Sequence, residues 1–100
     1  MAVKLIMTWD LAPGHEQEYF EFVVRDFIPG VQRLGFTLTD AWATAYGNRP
    51  QILVGVSLPS MARARQVMRS QDWKNMQNQL QEFVTNYQQK IVAARGSFQF

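Results

Sequence analysis

One hundred residues, 47% hydrophobic and 18% charged, describe one globular domain over residues 1–100 rather than a disordered chain. A chain of this size buries about 65% of the surface that its unfolded form exposes, enough for one core and not for two. Ten lysines and arginines against eight acids leave a surplus too small for a nucleic-acid surface, and the absence of cysteine excludes disulfides, thiolate metal sites and cysteine nucleophiles.

Val3-Lys4-Leu5-Ile6-Met7-Thr8-Trp9-Asp10 is β-branched and aromatic, and predicts a first strand. No basic-then-apolar leader precedes it and no apolar run approaches membrane-spanning length. A cytoplasmic protein with no membrane partner is therefore expected. Pro13-Gly14 breaks the chain, and Glu16, Glu18 and Glu21 follow where a helix start favours negative charge. Phe20, Val24, Phe27, Val31 and Leu34, spaced 4, 3, 4 and 3, form one apolar helical stripe. Pro29-Gly30 predicts a kink or break within it, and Gly35 suits the left-handed residue that ends it.

Residues 36–46 and 51–58 read as a second and third strand, joined by the tight turn Gly47-Asn48-Arg49-Pro50. Ser60 is placed to cap a short helix over residues 61–69, with Met61, Ala64, Val67 and Met68 inward. Ser70 caps another, in which Trp73, Met76, Leu80, Phe83 and Tyr87 repeat at helical spacing. Residues 90–100 predict a last strand. The order βαββαβ is the ferredoxin-like arrangement: α+β, a four-stranded antiparallel sheet with helices on one face.

The tight turn pairs Tyr46 with Gln51, Thr44 with Leu53, Trp42 with Gly55 and Asp40 with Ser57. Asp40, Trp42, Thr44 and Tyr46 then point away from the helices, with Gly55 making room for the Trp42 indole. Ala41, Ala43 and Ala45 lie with Ile52, Val54 and Val56 on the helix side. In the first strand Val3, Leu5 and Met7 face the helices and Lys4, Ile6, Thr8 and Asp10 the open side, unless a bulge reverses part of it. An open face with tryptophan and tyrosine on it is too apolar for water, and calls for a second subunit, a ligand, or both.

Gly35, the run Trp42-Ala43-Thr44-Ala45-Tyr46-Gly47, Ser60 and the helix opening Ser70-Gln71-Asp72-Trp73, with Pro13-Gly14 after the first strand, resemble the dimeric α+β barrel superfamily, NIPSNAP-like branch. The resemblance spans nearly the whole chain. It implies a homodimer whose two sheets face each other as a barrel, with a small cavity between sheet and helices of each subunit. Members include cofactor-free monooxygenases, haem-degrading enzymes, polyketide cyclases and proteins without known activity. In the oxygenases and haem-degrading members, activity rests on Asn, Trp or His on the cavity walls. This chain offers Trp42 and Trp73 but no histidine at a comparable place.

His15 is the single histidine, and at the start of a helix it reads as a solvated residue before it reads as a base. No metal-ligand spacing accompanies it, so neither a metal nor a cofactor is expected. Asp40 among aromatics is the sharper candidate, since desolvation would raise its pKa towards a usable base. The plainer reading is an interface carboxylate paired with Lys4 or Arg95. Arg63, Arg65 and Arg69 read as a solvated helix face. Residues 71–89 hold nine Asn or Gln and three charges, a polar surface with little repulsion. The third strand has neither the aromatics nor the cations of an RNA-recognition module, which shares this strand order, so no nucleic-acid partner is expected. Three functions follow: a module binding a small apolar or aromatic ligand through Asp40, Trp42, Thr44, Tyr46 and Leu53; a cofactor-independent monooxygenase or polyketide-cyclase-like enzyme with Asp40 or His15 as base; or dimerisation alone.

Overall fold

Apolar residues at alternating positions, Val3, Leu5, Met7 and Trp9, pack β1 (Val3–Leu11) against the helices of a computed structural model that describes residues 2–44 and 51–93. A helical stretch follows: α1 (Glu16–Phe22), a π-helical segment (Val23–Phe27) and α2 (Ile28–Arg33). Then come β2 (Thr37–Ala43), β3 (Ile52–Leu58), α3 (Met61–Met68), α4 (Gln71–Leu80) and β4 (Val84–Ala93). The strands form one antiparallel sheet in the order β2-β3-β1-β4, the expected α+β arrangement. Ala45, Tyr46, the turn at Gly47-Asn48-Arg49-Pro50, and Arg95 lie outside the described residues.

The core lies between sheet and helices. Leu5, Met7 and Trp9 of β1 and Val56 of β3 meet Phe27, Val31 and Leu80, all buried. Removing one such side chain from water contributes about 1.5–3 kcal/mol. Ser60 Oγ accepts from the Arg63 N–H and Ser70 Oγ from the Trp73 N–H, so both serines cap as expected. Gly35, at φ +100°, ends α2 in a conformation that side chains rarely adopt.

Four expectations are corrected. Of the kink or break expected at Pro29-Gly30, the break does not occur: the helix runs on from Glu16 to Arg33, with a π segment just before the proline and a short α-helical piece after it. Proline lacks an N–H and its ring crowds the carbonyl four residues back, and a wider turn there relieves both. That segment carries more residues per turn, which rotates the preceding stripe out of phase. Phe20 and Val24 are exposed, and Tyr19 and Phe22 take the inward places. Gly30 itself lets α2 close on α4, since a Cβ there would collide with the Met76 sulfur.

The second helix of that pair ends at Leu80, and Tyr87 sits in β4, which spans Val84–Ala93 rather than starting at Lys90. Val84, Thr85, Ile91 and Val92 suit a strand, and β1 supplies the partner. A bulge opposite Trp9, with Asn86 at φ 56°, returns Tyr87 to the helix side, where helical spacing also placed it.

The β2–β3 register is shifted by two residues from the expected one: Asp40 opposes Gly55, and Trp42 opposes Leu53. A slide of two keeps every side chain on its predicted face, because the strand period is two. Thr39 is the extra residue of a bulge between Leu38 and Asp40. Gly55 therefore makes room for Asp40 and not for the indole.

Candidate functional site

Each predicted open-face residue has a distinct surrounding. Lys4, Ile6 and Thr8 of β1 oppose Ser57, Gly55 and Leu53 of β3 on one side and Val92, Lys90 and Gln88 of β4 on the other. Beyond β3, β2 adds Asp40 and Trp42. Lys4 Nζ reaches diagonally across β3 to Asp40 Oδ2 at 2.8 Å. The Lys4 side chain is 6% exposed and that of Asp40 12%, so this ion pair has been taken almost wholly out of water. The Thr39 hydroxyl lies 2.9 Å from the same carboxylate oxygen and 3.0 Å from the Gly55 carbonyl.

Gly55 is what lets the carboxylate cross the strand. A Cβ there would stand 2.7 Å from Asp40 Oδ2 and 3.2 Å from Asp40 Cβ. Gly55→Ala is expected to displace the carboxylate from Lys4 and to cost about 2 kcal/mol in urea denaturation. In an Asp40→Ala background the same change is expected to cost much less, because the clashing group is gone. Equal costs in both backgrounds would show that the glycine serves something else.

The hydrogen bond from Lys4 holds the Asp40 carboxyl below its ordinary range, against the opposing effect of burial. This reverses the raised pKa expected from the sequence, and a carboxylate of lowered proton affinity is the weaker base. Trp42 is 58% exposed, Leu53 is half-buried, and Thr44 donates its backbone N–H to the Gln51 carbonyl at 2.7 Å. Tyr46 lies outside the described residues. Beside this row, Ile6, Thr8, Gln88, Gln89 and Lys90 line a cleft of ≈ 350 Å³. His15 is remote from it: half exposed before α1, with Nδ1 3.4 Å from Glu18 Oε1.

The opposite face holds what the sequence reading passed over. Trp9 is fully buried, stacked on Tyr87 at 6.0 Å between ring centroids and edge-on to Tyr19 and Phe27. Its Nε1 donates to Tyr19 Oη at 3.0 Å, so the tyrosine proton remains to be given elsewhere. Gln77 of α4 is 8% exposed, and neither its Nε2 nor its Oε1 has a hydrogen-bond partner among the described residues. The carboxamide lies close to the Tyr87 hydroxyl. Burial pushes that phenol well above its ordinary pKa, and the amide pulls it partly back. Tyr87 Oη in turn donates to Gln89 Oε1 at 2.8 Å. Burial likewise raises Tyr19. An unpartnered buried carboxamide costs several kcal/mol unless something meets it. The signal for Gln77 was present: Trp73, Gln77 and Leu80 at i, i+4 and i+7 share one helical face. Its glutamine-rich surroundings hid it.

Among the described residues, no helix is long and apolar enough to cross a membrane. No protein-family model matches the chain, and no curated protein sequence does. Solved structures do. A NIPSNAP family protein from Agrobacterium tumefaciens C58 superposes with a TM-score of 0.71 at 16% identity, over 96% of this chain and 95% of that one. An ethyl tert-butyl ether D (EthD) family protein from Bacillus halodurans C-125 gives 0.73 at 16% identity, over 95% and 100%. An uncharacterised NIPSNAP domain protein from Burkholderia xenovorans gives 0.68 at 9% identity, over the whole of both chains. End-to-end likeness at such low identity is a likeness of fold, and it agrees with the βαββαβ order and the β2-β3-β1-β4 sheet: this chain has the α+β fold of those NIPSNAP and EthD family structures.

Proposed function

We propose that this chain is a homodimeric small-ligand-binding protein, joined through the helix-free face of its sheet and holding a mostly apolar ligand between sheet and helices. The observation that carries the reading is Gln77, a buried carboxamide with no hydrogen-bond partner among the described residues, beside the Trp9–Tyr87 stack. A buried polar group left open in an aromatic surrounding is what a ligand-orienting group looks like before its ligand arrives. The seam is supported by Trp42, a large indole more than half exposed on the face that carries the Lys4–Asp40 pair. On this reading Asp40, Trp42, Thr44 and Leu53 belong to the contact between protomers, and a second copy removes the indole from water.

Native mass spectrometry of the purified protein tests both parts. The expected spectrum is a dimer carrying a small molecule, and Trp42→Asp is expected to leave folded monomer at low micromolar concentration. A monomeric parent protein would overturn the assembly. A dimer that carries nothing, and takes up no aromatic probe at millimolar concentration, would overturn ligand binding.

A further inference from the structure

We infer that, in the homodimer, the Trp42 indole of each protomer enters the cleft that Ile6, Thr8, Gln88 and Lys90 line on the other. This rests on the reading above that two copies meet through the helix-free face, and adds which part of that face receives which. The register puts Trp42, Leu53, Thr8 and Gln88 in one row across β2, β3, β1 and β4. The row lies on the helix-free face, since Trp42 is two residues beyond Asp40 with no shift between them, and Asp40 meets Lys4 there. Trp42 stands at one end of the row, 58% exposed. The cleft of ≈ 350 Å³ opens at the other end.

A dimer of like faces is isologous: whatever one copy places against its partner, the partner places against it. A knob and a hole at opposite ends of one row meet that condition. A two-fold axis parallel to the strands, passing between β3 and β1, lays β2 of each copy over β4 of the other and the row over itself reversed. Trp42 then faces Gln88 of the partner subunit. An axis across the strands sets β2 over β2 and the two clefts over each other, which gives the indole no hole. The chemistry of the cleft agrees with the first arrangement. Ile6, 3% exposed and outside the core cluster, gives the cleft an apolar surface. Gln88 carries an amide oxygen, the acceptor that an indole N–H needs once it leaves water. Lys90, opposite Ile6, brings an ammonium, and a cation is attracted to the face of an indole ring. Pockets for whole drug-sized ligands begin at about 300 Å³, so one ring fits.

Isotope-filtered NOE spectroscopy, on dimers mixed from labelled and unlabelled protomers, reads the contact directly. Cross-peaks are expected between the Trp42 ring of one protomer and the Ile6 and Thr8 methyls of the other. Sedimentation reads its strength, with circular dichroism checking the fold of each variant. Gln88→Trp, which fills the cleft from its own side, is expected to raise the dimer Kd about tenfold. Lys90→Glu, which turns an anion towards the indole, is expected to raise it about fivefold. A dimer without those cross-peaks, or with a Kd that neither substitution moves, would overturn the cleft assignment and leave the dimer standing. Cross-peaks from Ile6 to a co-purified small molecule in place of Trp42 would give the cleft to a ligand and overturn the assignment too. A parent protein that stays monomeric would overturn the assembly beneath it, and this contact with it.

Discussion

Replacing Asp40 with alanine is expected to destabilise the fold by about 3 kcal/mol, as loss of one member of a buried ion pair does. The expectation follows from where Lys4 sits. Its side chain is 6% exposed, and its ammonium is 2.8 Å from the carboxylate that the substitution removes. Replacing both members, Lys4→Met with Asp40→Leu, is expected to recover most of the loss, since an apolar pair removes both charges from the buried face. Asp40→Asn keeps the shape and removes the charge, and separates packing from electrostatics. Urea denaturation reads all three. A double variant no better than Asp40→Ala would place the cost in packing rather than in charge.

The same pair predicts a pH dependence. A carboxyl held below its ordinary pKa in the folded state stabilises that state above the unfolded value, near 4, and loses the contribution as pH falls through the folded value. Stability is therefore expected to fall on acidification below about pH 4, and to fall less steeply in Asp40→Asn. Asp10 acts in the same direction, lowered first by its hydrogen bond from Asn86 and then by the Gln51 N–H, so part of the slope survives in that variant.

Trp9→Ala is expected to cost about 4 kcal/mol, within the range for deleting a large buried aromatic. The indole is fully buried and touches three rings at 6.0–6.3 Å between centroids. Collapse cannot fill the gap, because Leu5 and Met7 on the same strand face are already buried. The substitution also strips Tyr19 Oη of its donor. Trp9→Phe is expected to cost less, retaining a ring against Tyr87 while losing the hydrogen bond. Since small proteins are stable by about 5–15 kcal/mol, the alanine variant is expected to stay folded in water but to unfold at a clearly lower urea concentration. A near-UV circular dichroism spectrum that the alanine variant leaves unchanged would show that Trp9 does not organise the aromatic cluster.

Much of the architecture was legible along the chain because it rests on local chemistry. Ser60 and Ser70 cap helices wherever a β-region serine precedes a helical run, and Gly35 takes a positive φ that other residues avoid. Period-two alternation put Val3, Leu5 and Met7 on the helix side and Asp40 and Trp42 on the other, and these faces survived a two-residue error in register. The stripe of Phe20 and Val24 failed because the π turn before Pro29 alters the count of residues per turn. Tyr87 was assigned to a helix because a bulged strand can return a side chain to the face that helical spacing also predicts.

The chain by itself determined the βαββαβ order and through it the fold, the two serine caps, and the faces of the first three strands, all of which follow from neighbours a few residues apart. Only the tertiary structure decided what the polar residues do. Whether Asp40 is a base or half of an ion pair depends on Lys4, 36 residues away in the chain and 2.8 Å away in space. Whether Gln77 is a solvated glutamine or a sealed one depends on β4 closing beneath α4. Burial and electrostatics are set by atoms brought together across the sheet, and a spacing along one element does not contain them.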